Sequence, residues 1–430
     1  MIVKNEEKNI RKALEWGKGT VFEQIVVDTG SDDRTVEIAK EMGAEVFLFP
    51  WIDDFSAAKN FAISKAKGDW IVFLDADEYY TSESTTKIIP ILLRIENGFN
   101  KNQKPHAVRS ALVNLDDSGQ AFSTGIQDRI FRKTSTLCYH NRIHEVLYNS
   151  DSSEVVVVDA SKELIIYHTG YTRQVYQESG KLERNIRMLK SEVAEDPEDY
   201  NAWSYLGDAF FAIKSYEEAE KSYFKVIANA DRVRSQGRKE AAFCNLVKLK
   251  YLTDTGSIEE ISDIYEKAKI NGCKSPDMEY WIGYWYYKKK LKRESVLYFE
   301  KALHLLDQYD GDSFLDIAGG LVEVYQMLFC TFREFGQISD MMRYGVLALR
   351  MNVYQMPILQ DIIRLLMKEN GEIQTANLTF DFLQKLYDTT SLKNKMFLLK
   401  ASKMADYPAL ENKVKELISV EERNALDNND

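Results

Sequence analysis

The sequence predicts an α/β domain followed by an all-α domain built from helical repeats. Up to about residue 90, short β-rich runs alternate with helical periods, as a parallel sheet requires. From about Glu178 onward the chain carries the periodicity of α-helices almost throughout. We therefore expect an α/β domain at 1–172, a helical linker at 173–195, helical repeats at 196–305 and a further helical region at 306–430.

The first 75 residues contain three strands that alternate with helices. The run Gln24–Asp28 (QIVVD) is fully apolar up to its last residue, which is typical of a strand buried on both faces. Only Met1-Ile2-Val3 is available for an earlier strand, so this strand is a stub or the natural chain begins upstream. The other predicted elements are a helix at 5–17, a helix ending at Met42, a strand at Glu45–Phe49, a helix from Ser56 (its expected cap) to Lys67 and a strand at Trp70–Asp75.

Residues 106–170 contain β-leaning pieces and few helical periods. We interpret them as the antiparallel edge and the acceptor-side loops of the same domain. The pieces are Ala107–Leu115, Arg129–Arg132, Val155–Val158 and Leu164–Tyr167.

Two segments of the helical half share a repeat pattern. Leu206-Gly207 and Ile282-Gly283 are each followed three residues later by an aromatic residue, then by small and aromatic residues at matching places. This is the tetratricopeptide arrangement, in which small residues let two helices approach and aromatics fill the space between them. A generic helical bundle is the alternative.

Composition excludes several classes of protein. The chain has 430 residues, with 56 basic and 67 acidic residues and a formal net charge of −11, and no basic stripe that would indicate a nucleic-acid partner. Its four cysteines are far apart, which indicates reduced thiols and not a zinc site. No apolar run reaches the ~18 residues of a membrane span and no signal peptide is apparent, so we expect a cytoplasmic protein.

The most informative chemical motif is Asp75-Ala76-Asp77, at the end of the apolar run Ile71–Leu74. In an extended segment, side chains at i and i+2 point to the same side, so both carboxylates can face one cation. Magnesium and manganese ions prefer oxygen ligands and are commonly held by one or two carboxylates plus substrate phosphates. Turn formation or helix capping is the alternative role for such residues.

Two further residues precede this motif. Asp28 ends its strand at the edge where a parallel sheet binds ligands, so its carboxylate is a candidate to accept a nucleobase N–H; its alternative role is to form the turn Thr29–Asp33. Lys59 lies in the first turns of a predicted helix, where a cation opposes the helix dipole unless an anion is present. It is therefore a candidate phosphate contact, or else a solvated lysine.

Two of the five histidines follow β-leaning pieces, in Arg142-Ile143-His144-Glu145 and in Tyr167-His168-Thr169-Gly170-Tyr171. A neutral imidazole beside carboxylates is a suitable third ligand for a divalent ion. In an extended chain Glu145 would point to the face opposite His144. It has a separate candidate role, because a glutamate near a metal-bound phosphate can act as a general base. Alone, each histidine has a structural role as its alternative.

Taken in order, these segments resemble the family 2 glycosyltransferases of bacteria, and in particular the subgroup with a C-terminal tetratricopeptide region. That subgroup includes S-glycosyltransferases that modify glycocin bacteriocin peptides such as sublancin. The resemblance covers residues 1–172 closely and 173–305 in outline. It rests on Met1–Glu7, Val27–Thr35, Asp54–Asn60, Phe73–Glu78, Arg129–Arg132, Ile143–Glu145 and His168–Tyr171.

The resemblance implies a GT-A fold and an inverting transfer from a nucleotide-activated sugar, usually a UDP-sugar. By position, Asp28 would meet the uracil, Lys4 and Glu6 would lie beside the base, and the Asp75-Ala76-Asp77 motif would serve ribose and metal. The family usually has Ala-Arg-Asn where this chain has Ala58-Lys59-Asn60, so a bidentate phosphate contact would become a point charge.

We expect a divalent cation, Mg or Mn, held by Asp77, His144 and His168. Glu145 is the expected catalytic base, and Asp128 is the second candidate. The repeats favour a peptide or protein acceptor, whose Cys or Ser would be modified, and they can also mediate a homodimer. Transfer to a cell-surface polysaccharide or to flagellin is one alternative, and an inactive tetratricopeptide scaffold is another.

Overall fold

A computed structural model of the chain describes residues 1–98, 104–169, 180–311, 315–367, 372–419 and 422. The chain forms two compact units, residues 1–239 and 240–430. The first unit holds the predicted α/β domain together with the first helical hairpin.

The described residues of the first unit form eleven strands, seven complete α-helices and the start of an eighth. The strands are β1 (Ile2–Val3), β2 (Ile25–Asp28), β3 (Glu45–Leu48), β4 (Trp70–Val72), β5 (Glu78–Tyr80), β6 (Ala107–Leu115), β7 (Ala121–Arg132), β8 (Leu137–His140), β9 (Val146–Asn149), β10 (Val157–Asp159) and β11 (Ile165–His168). The helices are α1 (Ile10–Glu15), α2 (Thr35–Glu41), α3 (Phe55–Lys65), α4 (Ser82–Gly98), α5 (Lys181–Glu195), α6 (Tyr200–Ala212), α7 (Tyr216–Ala228) and the first residues of α8 (Gln236–Thr253).

Hydrogen bonding divides most of the strands between two sheets. The first is parallel, in the order β1-β2-β3, and β2 is buried on both faces: Val26 and Val27 are each fully buried but belong to different hydrophobic clusters. The second sheet has the order β4-β7-β6-β11-β5, with β10 also paired to β6. Strands β8 and β9 form a separate antiparallel pair.

One strand is paired differently from the prediction. The sequence predicts a third strand of a parallel sheet at 70–75, but β4 ends at Val72 and pairs antiparallel with β7. The Phe73 amide adds one more bond, to the Arg129 carbonyl at 2.8 Å. Since β1 contributes only two residues, which pair with β2, no ladder joins β1 to β4 in the part of the chain that the structure describes.

The pairing of β5 with β11 brings distant segments together. These strands are antiparallel, with Glu78 opposite His168 and Tyr80 opposite Ile166. Because Asp77 directly precedes β5, this register carries the Asp75-Ala76-Asp77 motif to the end of β11. The adjacent core includes Leu74 and Tyr80, each 2% exposed.

The cap of α3 is not the expected residue. Asp54 caps this helix by accepting the Ala57 amide at 2.8 Å, whereas the Ser56 hydroxyl donates to the Asn141 carbonyl at 2.5 Å. Serine and aspartate are both good caps, and the hydroxyl of Ser56 is used to hold the loop after β8.

The second unit is helical wherever it is described. Its helices after α8 are α9 (Ile258–Ile270), α10 (Pro276–Lys288), α11 (Lys292–Asp307), α12 (Asp316–Phe335), α13 (Ile338–Met351), α14 (Met356–Met367), α15 (Glu372–Leu383), α16 (Leu392–Met404) and α17 (Pro408–Glu416). Among the described helices of both units, none is both long and apolar enough to cross a membrane.

Close helix packing depends on the glycines that the repeat pattern identifies. A Cβ atom on Gly207 would lie 2.6 Å from the Tyr223 ring, and one on Gly283 would lie 2.7 Å from the Phe299 ring. Gly345 in α13 is similarly close to Phe329 in α12, at 2.8 Å. Glycine-dependent packing between consecutive helices therefore continues beyond residue 305.

Candidate active site

Five charged side chains alternate in sign around the end of β4. The Lys59 ammonium lies 3.7 Å from Asp75 and also pairs with Glu145. On the other side, Arg129 donates to Asp75 at 2.7 Å and pairs with Glu78. Lys59 and Glu78 are buried, at 3% and 2% exposure, whereas 41% of the Asp75 side chain is accessible. Asp75 is therefore the most accessible of the five side chains.

The electrostatics keep the pKa of Asp75 below its ordinary value. Loss of hydration opposes the charged form of this carboxyl, but the positive charges of Arg129 and Lys59 outweigh that effect. For Lys59, burial lowers the pKa, and the carboxylates of Asp75 and Glu145 more than reverse this, so the pKa is raised. Asp75 is thus ionised and Lys59 protonated at neutral pH.

Lys59 is not the solvated lysine of the alternative interpretation. Its ammonium also lies over two aromatic rings, 5.1 Å from the centroid of Phe73 and 5.0 Å from that of Tyr139. Its observed anionic partners are carboxylates of the protein itself, Asp75 and Glu145. A lysine enclosed in this way orients the two carboxylates.

Asp77 and His168 lie together beside this charge chain. The His168 Nε2 atom is 3.3 Å from Asp77 Oδ2, and His168 Nδ1 is 2.7 Å from the Asn114 side-chain oxygen. The Asn114 amide nitrogen donates to Ser123 Oγ at 2.8 Å. Burial lowers the pKa of His168, but the hydrogen bond and the charge of Asp77 raise it overall, so His168 and Asp77 form a charge-assisted pair when the imidazole is protonated.

His144 makes a different contact. Its ring stacks on Tyr205 of α6 at a centroid distance of 3.8 Å and an interplanar angle of 12°. The segment is a turn and not an extended chain, since Asn141 and His144 have φ angles of 75° and 54°. Desolvation and then the charge of Arg238 lower the pKa of His144 to about 4, so the imidazole is neutral at pH 7.

Asp28 makes the contacts of a turn-forming residue. It is 3% exposed and accepts the amides of Gly30 and Ser31 at 3.1–3.2 Å. A carboxylate offers about four lone-pair positions, so these bonds leave acceptor capacity for a base N–H. Its expected role in base binding stays a prediction.

The loop after β1 is joined to the loop after β2. The amides of Asn5 and Glu6 donate to the hydroxyls of Ser31 and Thr35, at 2.9 and 2.6 Å. Burial and the nearby charge of Asp77 raise the pKa of Glu6, although its bond from Asn9 opposes this. Glu6 is thus close enough to Asp77 to feel its charge, whereas Lys4 is exposed and Ala76 is buried.

The second candidate base is engaged elsewhere. Asp128 accepts two hydrogen bonds from Arg109, at 2.8 and 3.1 Å. Glu145, the first candidate, pairs with Lys59, and 16% of its side chain is exposed.

The predicted ligand set is only partly assembled. Asp77 and His168 are neighbours, whereas the observed ring partner of His144 is Tyr205. Within the described ranges, no group of three or more His, Cys, Asp or Glu residues is arranged to hold a metal ion. Two protein ligands suit an ion that completes its coordination with substrate phosphates.

Several residues of the site had no role assigned from sequence. Arg129 and Glu78 lay inside motifs of the family resemblance, which was the available signal, but their partners were not apparent. Asn114 orients His168 from a neighbouring strand, and Tyr205 comes from the first helical hairpin. No sequence pattern connects either residue to the histidine that it contacts.

Comparison with known proteins agrees with this organisation. Residues 1–101 match the model of glycosyl transferase family 2. The N-terminal part of the chain is therefore a family 2 glycosyl transferase domain of GT-A-like α/β architecture, and many helices follow it.

Two curated relatives extend the match into the helical part. The chain is 34% identical over 215 residues to a TPR repeat-containing protein of Synechococcus elongatus, covering 48% of this chain and 50% of that protein. It is 30% identical over 238 residues to the SPbeta prophage-derived glycosyltransferase SunS of Bacillus subtilis, covering 55% and 54%. The chain thus spans about half the length of the curated relatives it matches.

Among solved structures, one neighbour is glucosyl-3-phosphoglycerate synthase from Mycobacterium tuberculosis, in complex with Mn2+ and uridine-diphosphate-glucose. The identity is 21%, the match covers 27% of this chain and 42% of that one, and the TM-score is 0.20.

Proposed function

We propose that this chain is a metal-dependent inverting glycosyltransferase that moves a sugar from a UDP-sugar to a Cys or Ser of a peptide or protein. The observation that carries the proposal is the pair formed by Asp77 and His168, beside Asp75 in a family 2 domain. A carboxylate oxygen and an imidazole nitrogen 3.3 Å apart can share a proton, and once that proton is lost both atoms can bind a divalent cation.

The donor set suits Mg or Mn. Asp77 would supply an oxygen and His168 its Nε2 nitrogen, since Nδ1 already contacts Asn114, and both side chains are partly accessible, at 24% and 15%. When bound, such an ion would neutralise the charge of the departing diphosphate. Asp77 and His168 are the residues that would hold it.

Asp75 is suited to the ribose of the donor. Arg129 and Lys59 keep it ionised and fix its direction, so an accessible carboxylate is presented to sugar hydroxyl groups. Asp28 remains the candidate for the uracil N–H, and Lys4, Glu6 and Ala76 remain the further candidates for nucleotide-sugar binding.

Glu145 is the favoured base. Lys59 orients it, and the same lysine contacts Asp75, so one cation links the ribose carboxylate to the base. Asp128 is less suited because Arg109 engages both of its oxygens. In the proposed step Glu145 accepts the proton of the acceptor hydroxyl or thiol as that oxygen or sulfur attacks the anomeric carbon, while the bond from this carbon to the diphosphate oxygen breaks and UDP leaves.

The helical hairpins favour a peptide or protein acceptor, since arrays of this kind bind extended peptides along their concave faces. Transfer to a polysaccharide would also use the donor site described above. An inactive scaffold would not need the ionised, accessible Asp75 or the Asp77–His168 pair.

Release of UDP from UDP-glucose and UDP-N-acetylglucosamine, with Mn2+ or Mg2+ present, tests the donor half of the proposal. We expect wild type to hydrolyse at least one donor slowly and Asp77→Asn to lose about a hundredfold or more in kcat. The matched control is Asp116→Asn, in the exposed turn between β6 and β7. Absence of hydrolysis with any donor and metal would favour the scaffold, and full activity of Asp77→Asn would contradict the metal assignment.

A further inference from the structure

The turn that carries Glu145 is held by contacts from several elements. Asn141 and His144 both have positive φ angles, a conformation that non-glycine residues keep only when the surroundings impose it. The Asn141 carbonyl accepts the Ser56 hydroxyl at 2.5 Å, and the Arg142 carbonyl accepts the Phe55 amide at 2.9 Å. These bonds fix the first half of the turn against α3.

The second half of the turn is fixed by a ring stack. His144 precedes Glu145 directly, and its ring lies 3.8 Å from that of Tyr205, nearly parallel to it. Tyr205 belongs to α6, the first helix of the first hairpin, and is partly buried. The backbone beside Glu145 is therefore in contact with the helical part of the same compact unit.

Tyr205 is itself immobilised. The Arg238 guanidinium covers its other face at 4.0 Å from the ring centroid. Arg238 donates to Ser204 at 2.8 Å and pairs with Asp208, and Asp208 accepts the Tyr223 hydroxyl at 2.7 Å. The Tyr205 ring thus lies between an anchored cation and His144.

We infer that Tyr205 is a positioning residue for the reaction: it acts through His144 to hold Glu145 in the orientation that Lys59 completes. This inference rests on the proposed function, in which Glu145 is the base. It gives the first helical hairpin a part in the chemical step besides acceptor binding, and it assigns His144 to the stack and not to metal ligation. A base displaced by about 1 Å loses much of its effect, so loss of the stack between His144 and Tyr205 should lower kcat.

The test compares Tyr205→Leu, Tyr205→Phe and Trp203→Leu in the full chain, with hydrolysis of a UDP-sugar in Mn2+ as the reaction. Trp203 is a matched control because it lies on the same helix, is partly buried and has Lys225 over its ring, away from His144. We expect Tyr205→Leu to lower kcat about tenfold with KM for the donor within about twofold, whereas Tyr205→Phe keeps the ring and the activity. Equal kcat in Tyr205→Leu, Trp203→Leu and wild type would overturn the inference.

A double-mutant cycle with His144→Ala separates positioning from metal ligation. If both residues act through one stack, the double variant loses about as much kcat as the worse single variant. If His144 acts independently of Tyr205, the losses multiply to about a hundredfold, and the inference is wrong. Should Tyr205→Leu fail to fold, His144→Ala breaks the same contact from the other side and must itself lower kcat without raising KM. Failure of the proposed function can be distinguished from failure of this inference, because wild type would then release no UDP.

Discussion

At the residue scale, the central feature of the candidate site is the set of contacts made by Lys59. This lysine is buried, yet its charge is met by Asp75 and Glu145, and two aromatic rings complete the enclosure. Lys59 thus contacts two carboxylates with different proposed roles, Asp75 on the donor side and Glu145 on the acceptor side. It therefore connects the two sides of the site. At this position the chain has a point charge where the related family usually has arginine, and a point charge can be shared between two anions.

Lys59→Met should reduce both stability and activity. Removing the cation leaves Glu145 without its partner, and we expect a loss of about 2–3 kcal/mol in the free energy of unfolding, after allowance for the exposure of Asp75. We also expect kcat for donor hydrolysis to fall about a hundredfold, since the base is no longer oriented. Urea unfolding and the hydrolysis assay measure the two effects. Lys65→Met on the same helix is the control, and similar behaviour of both variants would contradict the role of Lys59.

The raised pKa of Glu192 predicts that the stability of the protein depends on pH. Desolvation and then the charge of Asp199 raise the pKa of this carboxyl from 4.5 to about 7. Because the folded-state pKa exceeds the unfolded one, the folded state binds the proton more tightly, and stability is lost as pH rises from about 4.5 through 7. Glu192→Gln should remove this loss.

Chemical unfolding at several pH values between 5 and 8 checks the prediction. We expect the advantage of Glu192→Gln over wild type to grow by about 1–2 kcal/mol across that range. Glu183→Gln, an exposed position on the same helix, is the control and should not change the slope. A pH-independent difference between Glu192→Gln and wild type would disagree with the raised pKa.

At the scale of elements, two kinds of packing build the protein. Strand β2 is apolar on both faces and lies between two clusters, whereas the helices pair through glycines that accept an aromatic ring from the next helix. Gly283 and Phe299 show the second kind most clearly, since the ring occupies the space that a side chain on Gly283 would need.

Gly283→Ala and Gly319→Ala should therefore have opposite effects. The new Cβ of the first would lie 2.7 Å from Phe299, and forcing the ring aside should cost about 1–3 kcal/mol. Gly319 in α12 is exposed with nothing within 4 Å, so alanine should stabilise that helix by about 0.5–1 kcal/mol through its better helix propensity. Thermal unfolding followed by circular dichroism compares them, and equal shifts in Tm would contradict the packing argument.

At the scale of the whole molecule, the candidate metal pair joins segments far apart in the chain. Asp77 and His168 are 91 residues apart and meet only because β5 pairs with β11. A cation held by both would therefore stabilise the fold as well as serve the reaction.

Removing the cation with a chelator should reveal its effect on stability as well as its effect on the reaction. We expect EDTA to abolish donor hydrolysis, and saturating Mn2+ to restore it while raising Tm by about 2–4 °C. Asp77→Asn should show no rise in Tm with Mn2+. Hydrolysis that continues unchanged in EDTA would contradict metal dependence, whatever the behaviour of Tm.

Much of the fold was predictable because it depends on local pattern. The continuous apolar run that forms β2, the β-leaning run that forms β6 and the glycine-aromatic spacing around Gly207 and Gly283 are all signals read within a few residues of the chain. The pairing of β4 was not predictable from pattern, because a short strand can pair with any neighbour and the choice depends on β1 and β7.

The sequence by itself determined the order of the motifs, the helical half and the chemical type of the site: carboxylates, a lysine and histidines at strand ends. Only the tertiary structure decided which of them meet. Lys59 joins Asp75 to Glu145, His168 faces Asp77, and His144 stacks on Tyr205. The physical reason is the separation along the sequence over which each interaction acts. Periodicity and capping involve residues a few positions apart, whereas these ion pairs and ring stacks join side chains that only strand register and helix docking bring together.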